Sequence, residues 1–194
     1  MRKSIMGLAV VTVAVAATPS LAQDAGAART DGFRIEAHGG WDRVSVPQLG
    51  GKSGVAYGVG LGYDFALSNN FFMGVEGNID DSSTKACVNS IFIVGDRTCA
   101  KTGLDLSGVV RLGFTQDNAK LYVLGAYTRA KIKATYDNGV TTTSVGDWGD
   151  GWRVGAGYQL NFASGLYGKI EYHYSDYQGG FKRHNVIAGI GYQF

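Results

Sequence analysis

From Phe33 to Phe194, apolar and polar residues alternate with a period of two in eight successive segments. A period of two places successive side chains on opposite faces of a β-strand. In the first segment Phe33, Ile35, Ala37, Gly39 and Trp41 share one face, and Arg34, Glu36, His38, Gly40 and Asp42 the other. In the second, Val55, Tyr57, Val59, Leu61, Tyr63 and Phe65 oppose a face of Gly54, Ala56, Gly58, Gly60, Gly62 and Asp64. The third sets Phe71, Met73, Val75, Gly77 and Ile79 against Phe72, Gly74, Glu76, Asn78 and Asp80; the fourth sets Leu104, Leu106, Val110, Leu112 and Phe114 against Asp105, Ser107, Val109, Arg111 and Gly113. The fifth is apolar on both sides. Reading it with Tyr122, Leu124, Ala126, Thr128, Ala130 and Ile132 outward puts Leu121, Val123, Tyr127, Arg129, Lys131 and Lys133 on the inner face. The sixth sets Trp152, Val154, Ala156, Tyr158, Leu160 and Phe162 against Arg153, Gly155, Gly157, Gln159 and Asn161. The last two present Ile170, Tyr172 and Tyr174, then Val186, Ala188, Ile190, Tyr192 and Phe194, over Lys169, Glu171, His173 and Ser175, then Asn185, Ile187 and Gln193.

Segments of roughly 10–13 residues suit a tilted strand crossing a bilayer, apolar outside and polar inside. A soluble sandwich also alternates, so spacing and aromatic placement decide. The linkers 66–70, 116–119 and 163–165 are tight, whereas 45–53, 81–102, 137–149 and 176–184 are longer. Short turns therefore lie at one end and long loops at the other, as in outer-membrane barrels. Aromatic residues such as Trp41, Phe65, Phe71, Phe114, Trp152, Phe162 and Tyr192 fall toward segment ends on the apolar face, where interfacial girdles form. The predicted fold is all-β: an eight-stranded antiparallel up-and-down transmembrane β-barrel in the cell outer membrane, spanning residues 23–194, with both termini on the short-turn, periplasmic side.

Residues 1–22 read as a cleaved signal peptide. Arg2 and Lys3 precede an apolar run over 5–17, and Ser20, Leu21 and Ala22 offer small residues around a cleavage point. The run is shorter than the roughly 17–25 residues a spanning helix needs. Its removal takes away two basic residues and no acidic ones, which brings Lys and Arg, 18 in the whole chain, level with 16 Asp and Glu. Charge therefore gives no argument for nucleic acid as a partner. Thirty glycines against two prolines, with 11 tyrosines, suit a curved aromatic sheet rather than a helical or disordered chain.

The stretches 151–158 (GWRVGAGY), 168–177 (GKIEYHYSDY) and 184–194 (HNVIAGIGYQF) resemble the small opacity-protein and porin-like family of proteobacterial outer membranes, over roughly residues 30–194. The resemblance implies an eight-stranded barrel like the OmpA membrane domain. It further implies that Tyr192 and Phe194 belong to the signal read by the barrel-assembly machinery, and that the roles to consider are porin-like, adhesive or envelope-stabilising.

The inward ionic residues are Arg34, Glu36, Asp64, Glu76, Asp105, Arg111, Arg153, Lys169 and Glu171. An eight-stranded lumen is only wide enough for side chains to fill, and buried charges there must pair. They are expected to form an ion-pair network that plugs the lumen; the alternative is a narrow porin-like diffusion channel with movable pairs. Cys87 and Cys99 share the longest loop in an oxidising compartment. With no histidine or further cysteine beside them they are expected to pair rather than bind metal, closing a loop of about 13 residues worth on the order of 3 kcal/mol. Glu171, His173 and Ser175 share one strand face and offer a distant third reading, a lipid A acyl hydrolase. Same-face neighbours on a strand stand about 7 Å apart, beyond hydrogen-bond reach, which argues against it. Arg129, Lys131 and Lys133 form a basic cluster that could meet lipopolysaccharide, or a solvated strand end. The expected role is that of a structural and surface-interaction barrel, not an enzyme, without cofactor. Its expected partners are outer-membrane lipid and lipopolysaccharide, the assembly machinery, and a host or surface ligand at the loops.

Overall fold

The computed structural model describes residues 29–46, 50–89, 97–137, 141–178 and 180–194. The expected signal peptide, 1–22, lies outside the described residues. Nine strands occupy nearly all of them: β1 (Gly32–Val46), β2 (Gly50–Ala66), β3 (Phe71–Ser82), β4 (Lys85–Asn89), β5 (Arg97–Gln116), β6 (Ala119–Asp137), β7 (Thr142–Asn161), β8 (Leu166–Tyr177) and β9 (Phe181–Gln193). Each pairs antiparallel with its sequence neighbour except at two places. β1 pairs with β9, from Arg34↔Gln193 to Ser45↔Lys182, and β3 pairs with β5, from Phe71↔Phe114 to Asp80↔Asp105. These pairings close the sheet into an eight-stranded barrel; β4 lies outside the ring and extends the wall by pairing with the far end of β5.

The two faces are sorted in the sense that lipid demands. Leu61, Val123 and Ile190 are 52%, 62% and 57% exposed, whereas Arg34, Asp64 and Asp105 are fully buried. A sandwich would bury its aliphatic face against a second sheet; this barrel turns that face outward and keeps its ionic residues within. One aromatic belt lies near the short-turn end, with Phe33, Phe65, Phe71, Phe114, Tyr158, Phe162, Tyr192 and Phe194, and a second near Trp41, Tyr57, Tyr127 and Trp152. No helix among the described residues is long and apolar enough to cross a membrane.

Tight connections lie at one end of the barrel. Asp117 and Asn118 join β5 to β6, with Asp117 in the left-handed region (φ 53°). One 3-10 turn, Ala163–Gly165, joins β7 to β8 through Ser164 (φ 67°) and Gly165 (φ 86°).

The structure corrects the sequence reading in two respects. In β6 the inward set is Tyr122, Leu124, Thr128 and Ala130, all buried; Leu121, Val123 and Tyr127 face out, and Arg129 lies with them, exposed. Both faces of this segment are apolar, so hydropathy alone did not fix its phase. What fixes it is the ladder: Leu121 pairs with Tyr158 and Tyr127 with Trp152, both outward residues of β7. The long linkers are also mostly strand. β7 begins at Thr142 and β5 at Arg97, so the β6–β7 and β4–β5 hairpins run well past the second aromatic belt, and strands reach 20 residues rather than 10–13.

Val123→Arg sets a guanidinium into the lipid-facing band between the two belts. It is expected to destabilise the barrel by about 2–4 kcal/mol in urea titrations of protein folded into vesicles. An unchanged midpoint would return β6 to the opposite phase.

Candidate functional site

The inner faces of all eight ring strands meet along the barrel axis. β2 brings glycines to this face, and the room they leave is used. A Cβ at Gly62 would stand 2.9 Å from Arg34 Nη2, and one at Gly58 would stand 2.9 Å from His38 Nε2. The long polar side chains of β1 thus lie across β2.

Near the short turns, Asp64 is the common acceptor. Arg111 Nη2 reaches its Oδ2 at 2.6 Å and Arg111 Nε its Oδ1 at 3.0 Å; Lys120 Nζ is 3.0 Å and Arg34 Nε 3.4 Å away. Lys120 also donates to Gln193 Oε1 at 3.0 Å. Phe72 and Tyr122 flank Arg111, their ring centres 5.3 and 4.8 Å from its Cζ. Such contacts of a guanidinium with aromatic faces add attraction where water is excluded.

The next layer alternates in sign. Arg34 bonds Glu36 (3.0 Å) and Glu76, and Lys169 bridges Glu36 (2.5 Å) and Glu171 (3.0 Å). Tyr167 donates to Glu36 Oε2 at 2.8 Å and Tyr122 to Glu171 Oε1 at 2.6 Å. His38 joins this layer to the next, with Nδ1 3.3 Å from Glu36 Oε1 and Nε2 2.6 Å from Asp80 Oδ1. Both nitrogens can donate at once only in the imidazolium.

Toward the long hairpins, Asp105 accepts from Arg153 (2.8 Å), Arg183 (2.8 Å), Tyr177 (2.8 Å) and Thr128. Asp42 accepts from Arg183 Nε (2.8 Å), Thr84 (2.8 Å), Asn185 (3.1 Å) and Ser82. Arg153 lies 3.7 Å from Asp80, which completes one connected path of ion pairs from Asp42 to Lys120. A cavity of about 20 Å³, room for one or two waters, remains between the layers beside His38, Asp80, Arg153 and His173.

All nine ionic residues assigned inward from sequence lie on this axis, and the structure adds Asp42, His38, Asp80, Lys120 and Arg183 to them. Asp42, His38 and Asp80 were legible as inner-face positions. Lys120 was hidden by the inverted phase of β6, and Arg183 by the assignment of 176–184 to a loop. The triad-like residues are not arranged as a triad. His173 Nε2 contacts Glu171 Oε2 at 3.1 Å, whereas the fully buried Ser175 Oγ accepts from Arg153 Nε at 2.9 Å. Among the described residues no group of three or more His, Cys, Asp or Glu is arranged to hold a metal ion.

Cys87 stands directly across from Cys99 in the β4–β5 ladder, and no free cysteine is found among the described residues. Tyr192 and Phe194 lie on the outer face of the barrel wall, ring centres 4.9 Å apart, with the Phe194 amide donating to Phe33 O at 2.8 Å. Arg129 and Lys131 gather at one indole, 5.5 and 5.8 Å from the Trp148 ring centre.

The profile of the outer membrane protein beta-barrel domain matches residues 8–194. The chain belongs to this outer-membrane family. Among curated relatives, it is 25% identical over 157 residues to the 25 kDa outer-membrane immunogenic protein of Brucella ovis, covering 80% of this chain and 72% of that one. It is 28% identical over 148 residues to the 31 kDa outer-membrane immunogenic protein of Brucella melitensis, covering 70% of this chain and 61%, less than two thirds, of that one. The barrel shares its fold with Ail of Yersinia pestis, solved in complex with the heparin analogue sucrose octasulfate (TM-score 0.57, 16% identity, 86% of this chain and 100% of that one). Neisserial surface protein A has the same fold (TM-score 0.51, 16% identity, 84% and 97%). This family member is accordingly an outer-membrane barrel, and the curated relatives named above are outer-membrane immunogenic proteins.

Asp64→Asn leaves Arg34, Arg111 and Lys120 around a neutral amide. Breaking a buried pair by removing one partner costs about 3–5 kcal/mol. The variant is expected to lose that much in urea titration and to lose its compact gel mobility at lower temperature than the native barrel. Equal stability would show that Asp64 does not compensate these cations.

Proposed function

We propose that the protein is a structural and surface-interaction barrel: a closed lumen that anchors protruding hairpins beyond the outer leaflet. The observation that carries this reading is the continuous ion-pair path from Asp42 to Lys120. A permeating ion would have to separate buried pairs at every layer. The alternative, a narrow diffusion channel, requires those pairs to swing apart together. Acyl hydrolysis has less support, because Ser175 is buried and committed to Arg153.

The hairpins are the proposed interaction face, with host or surface molecules as ligands and outer-membrane lipid and lipopolysaccharide as surroundings. Support comes from their extension past the second belt and from the Ail complex with a sulfated sugar, a property of that protein carried here by likeness of fold. A Cys87–Cys99 disulfide would staple one of them: directly opposed positions in an antiparallel ladder have the Cα spacing a disulfide accepts. Residues 1–22 are proposed as the export signal, and Tyr192 with Phe194 as the contact for the barrel-assembly machinery.

In planar bilayers the purified protein is expected to give no steady ohmic conductance. A stable conductance altered by Glu76→Ala or Arg111→Ala would replace this reading with the channel. Thiol labelling after denaturation is expected to find two reactive cysteines only when reductant is added; labelling without it would reject the disulfide.

A further inference from the structure

Arg129 and Lys131, near the base of the β6–β7 hairpin, lie on the outer face of β6, and the strands beside them add to the same face. Lys101 pairs with Lys133 in the β5–β6 ladder, and Lys85 pairs with Lys101 in the β4–β5 ladder. Three lysines on three adjacent strands thus occupy directly opposed register positions. Lys85 and Lys101 are exposed, as is Arg129. Like charges directly opposite one another destabilise a sheet, so the facing pair Lys85 and Lys101 calls for an anion.

Lys101 reaches this face through a local device. The β5–β6 register shifts between Thr102 and Asp105, where two residues of β5 oppose one of β6. Below the shift, even-numbered residues of β5 such as Leu104 and Leu106 face out and Asp105 faces in. Above it the phase is reversed, and Lys101 lies on the outer face with Lys85 opposite. One same-face step further along stands the Cys87↔Cys99 pair, where a disulfide would hold the two like charges together.

The row also has a defined height. Tyr127 and Trp152, paired in register, belong to the second aromatic belt. Arg129, Lys131 and Lys133 follow Tyr127 at successive same-face positions, each about 7 Å further along a tilted strand. The cations therefore begin where hydrocarbon ends and climb through the headgroup layer. Trp148 draws Arg129 and Lys131 together, and Asp150 sits 3.4 Å from Arg129 in an exposed pair that offsets little of the charge. Asp81 lies lower, across from Tyr57 at the belt.

We infer that Lys85, Lys101 and Lys131, with Arg129, form a strip that binds the phosphate groups of a phosphorylated glycolipid in the outer leaflet. The strip faces sideways, toward surrounding lipid, and its lower edge is level with the headgroups; a soluble glycan would be met by the hairpin tips instead. The inference rests on the proposed orientation, in which the long hairpins lie outside the cell. It does not depend on whether the lumen conducts.

The test titrates the full-length protein in detergent with lipopolysaccharide and with its dephosphorylated form, reading retained lipid by native mass spectrometry. The native protein is expected to retain the phosphorylated form, and Lys85→Gln/Lys101→Gln/Lys131→Gln to bind it about tenfold or more weakly, since each cation removed takes away one attraction to the anionic headgroups. Lys85→Arg/Lys101→Arg is expected to keep binding, as is Arg43→Gln/Lys182→Gln on another part of the wall. A heat-dependent gel shift equal to that of the native protein certifies that each variant has folded. Equal retention of the dephosphorylated form, or equal binding by the triple variant, would overturn the strip. Heparin bound through the same lysines without displacing lipopolysaccharide would likewise overturn it, in favour of a soluble sulfated glycan. Bilayer conductance is recorded in parallel, so a leaking lumen and a non-binding strip are told apart.

Discussion

Hydrocarbon offers no partner to a peptide group, and the rest of this structure follows from that constraint. Every N–H and C=O within the bilayer must be paired inside the protein, which for strands means a sheet without edges. The pairings that remove the edges are β1 with β9 and β3 with β5. The second skips β4, which is free to build outward from the ring because it contributes nothing to closure. Once the sheet is closed, the strand period assigns half of all side chains to a lumen just wide enough for them to fill.

That lumen holds ions at a cost. Desolvating a charge costs several kcal/mol, and mutual attraction offsets this only with good geometry and further hydrogen bonds. The acids here are accordingly multiply partnered. Asp64 serves β1, β5 and β6 at once; Asp105 serves β7 and β9 as well as its neighbour Thr128. Some of these partners sit on strands that share no ladder with the carboxylate, and there the pair also ties one wall to another. Asp64 on β2 holds Arg111 on β5 and Lys120 on β6, and Asp105 on β5 holds Arg153 on β7 and Arg183 on β9. The glycine face of β2 makes this possible by yielding its volume to Arg34, Glu36 and His38.

Much of this was legible because alternation is a property of adjacent residues. Where one face is ionic and the other aliphatic, as in β1 or β8, the phase and the buried charges follow directly from the sequence. β6 shows where that stops: Leu121 and Val123 on one face are matched by Tyr122 and Leu124 on the other, so only pairing with β7 could decide. Lys120 was lost with that phase. Arg183 was lost for a different reason. Gly179 and Gly180 beside charged residues read as loop, and only the continued ladder of β8 with β9, through Ser175↔Arg183, carries it inward. Hairpin length was invisible for the same reason, since past the membrane the outer face no longer needs to be apolar and the hydropathy signal fades while backbone pairing continues.

The irregularity in β5 shows how one added residue divides the wall into two regimes. Below the register shift, outward positions are set by lipid and carry Leu104, Leu106 and Val110; above it the same face carries Lys101. Had the strand run on without the shift, Lys101 would share the inward phase of Asp105, above a lumen whose acids already have partners. Thr102 and Asp105 bracket a change of face at the height where the surroundings change from hydrocarbon to water and headgroups. A bulge costs a ladder bond and bends its strand, a loss that lipid would penalise and that water, a few ångströms further out, can make good. Its position beyond the hydrocarbon is therefore as much a consequence of backbone pairing as the closure of the ring.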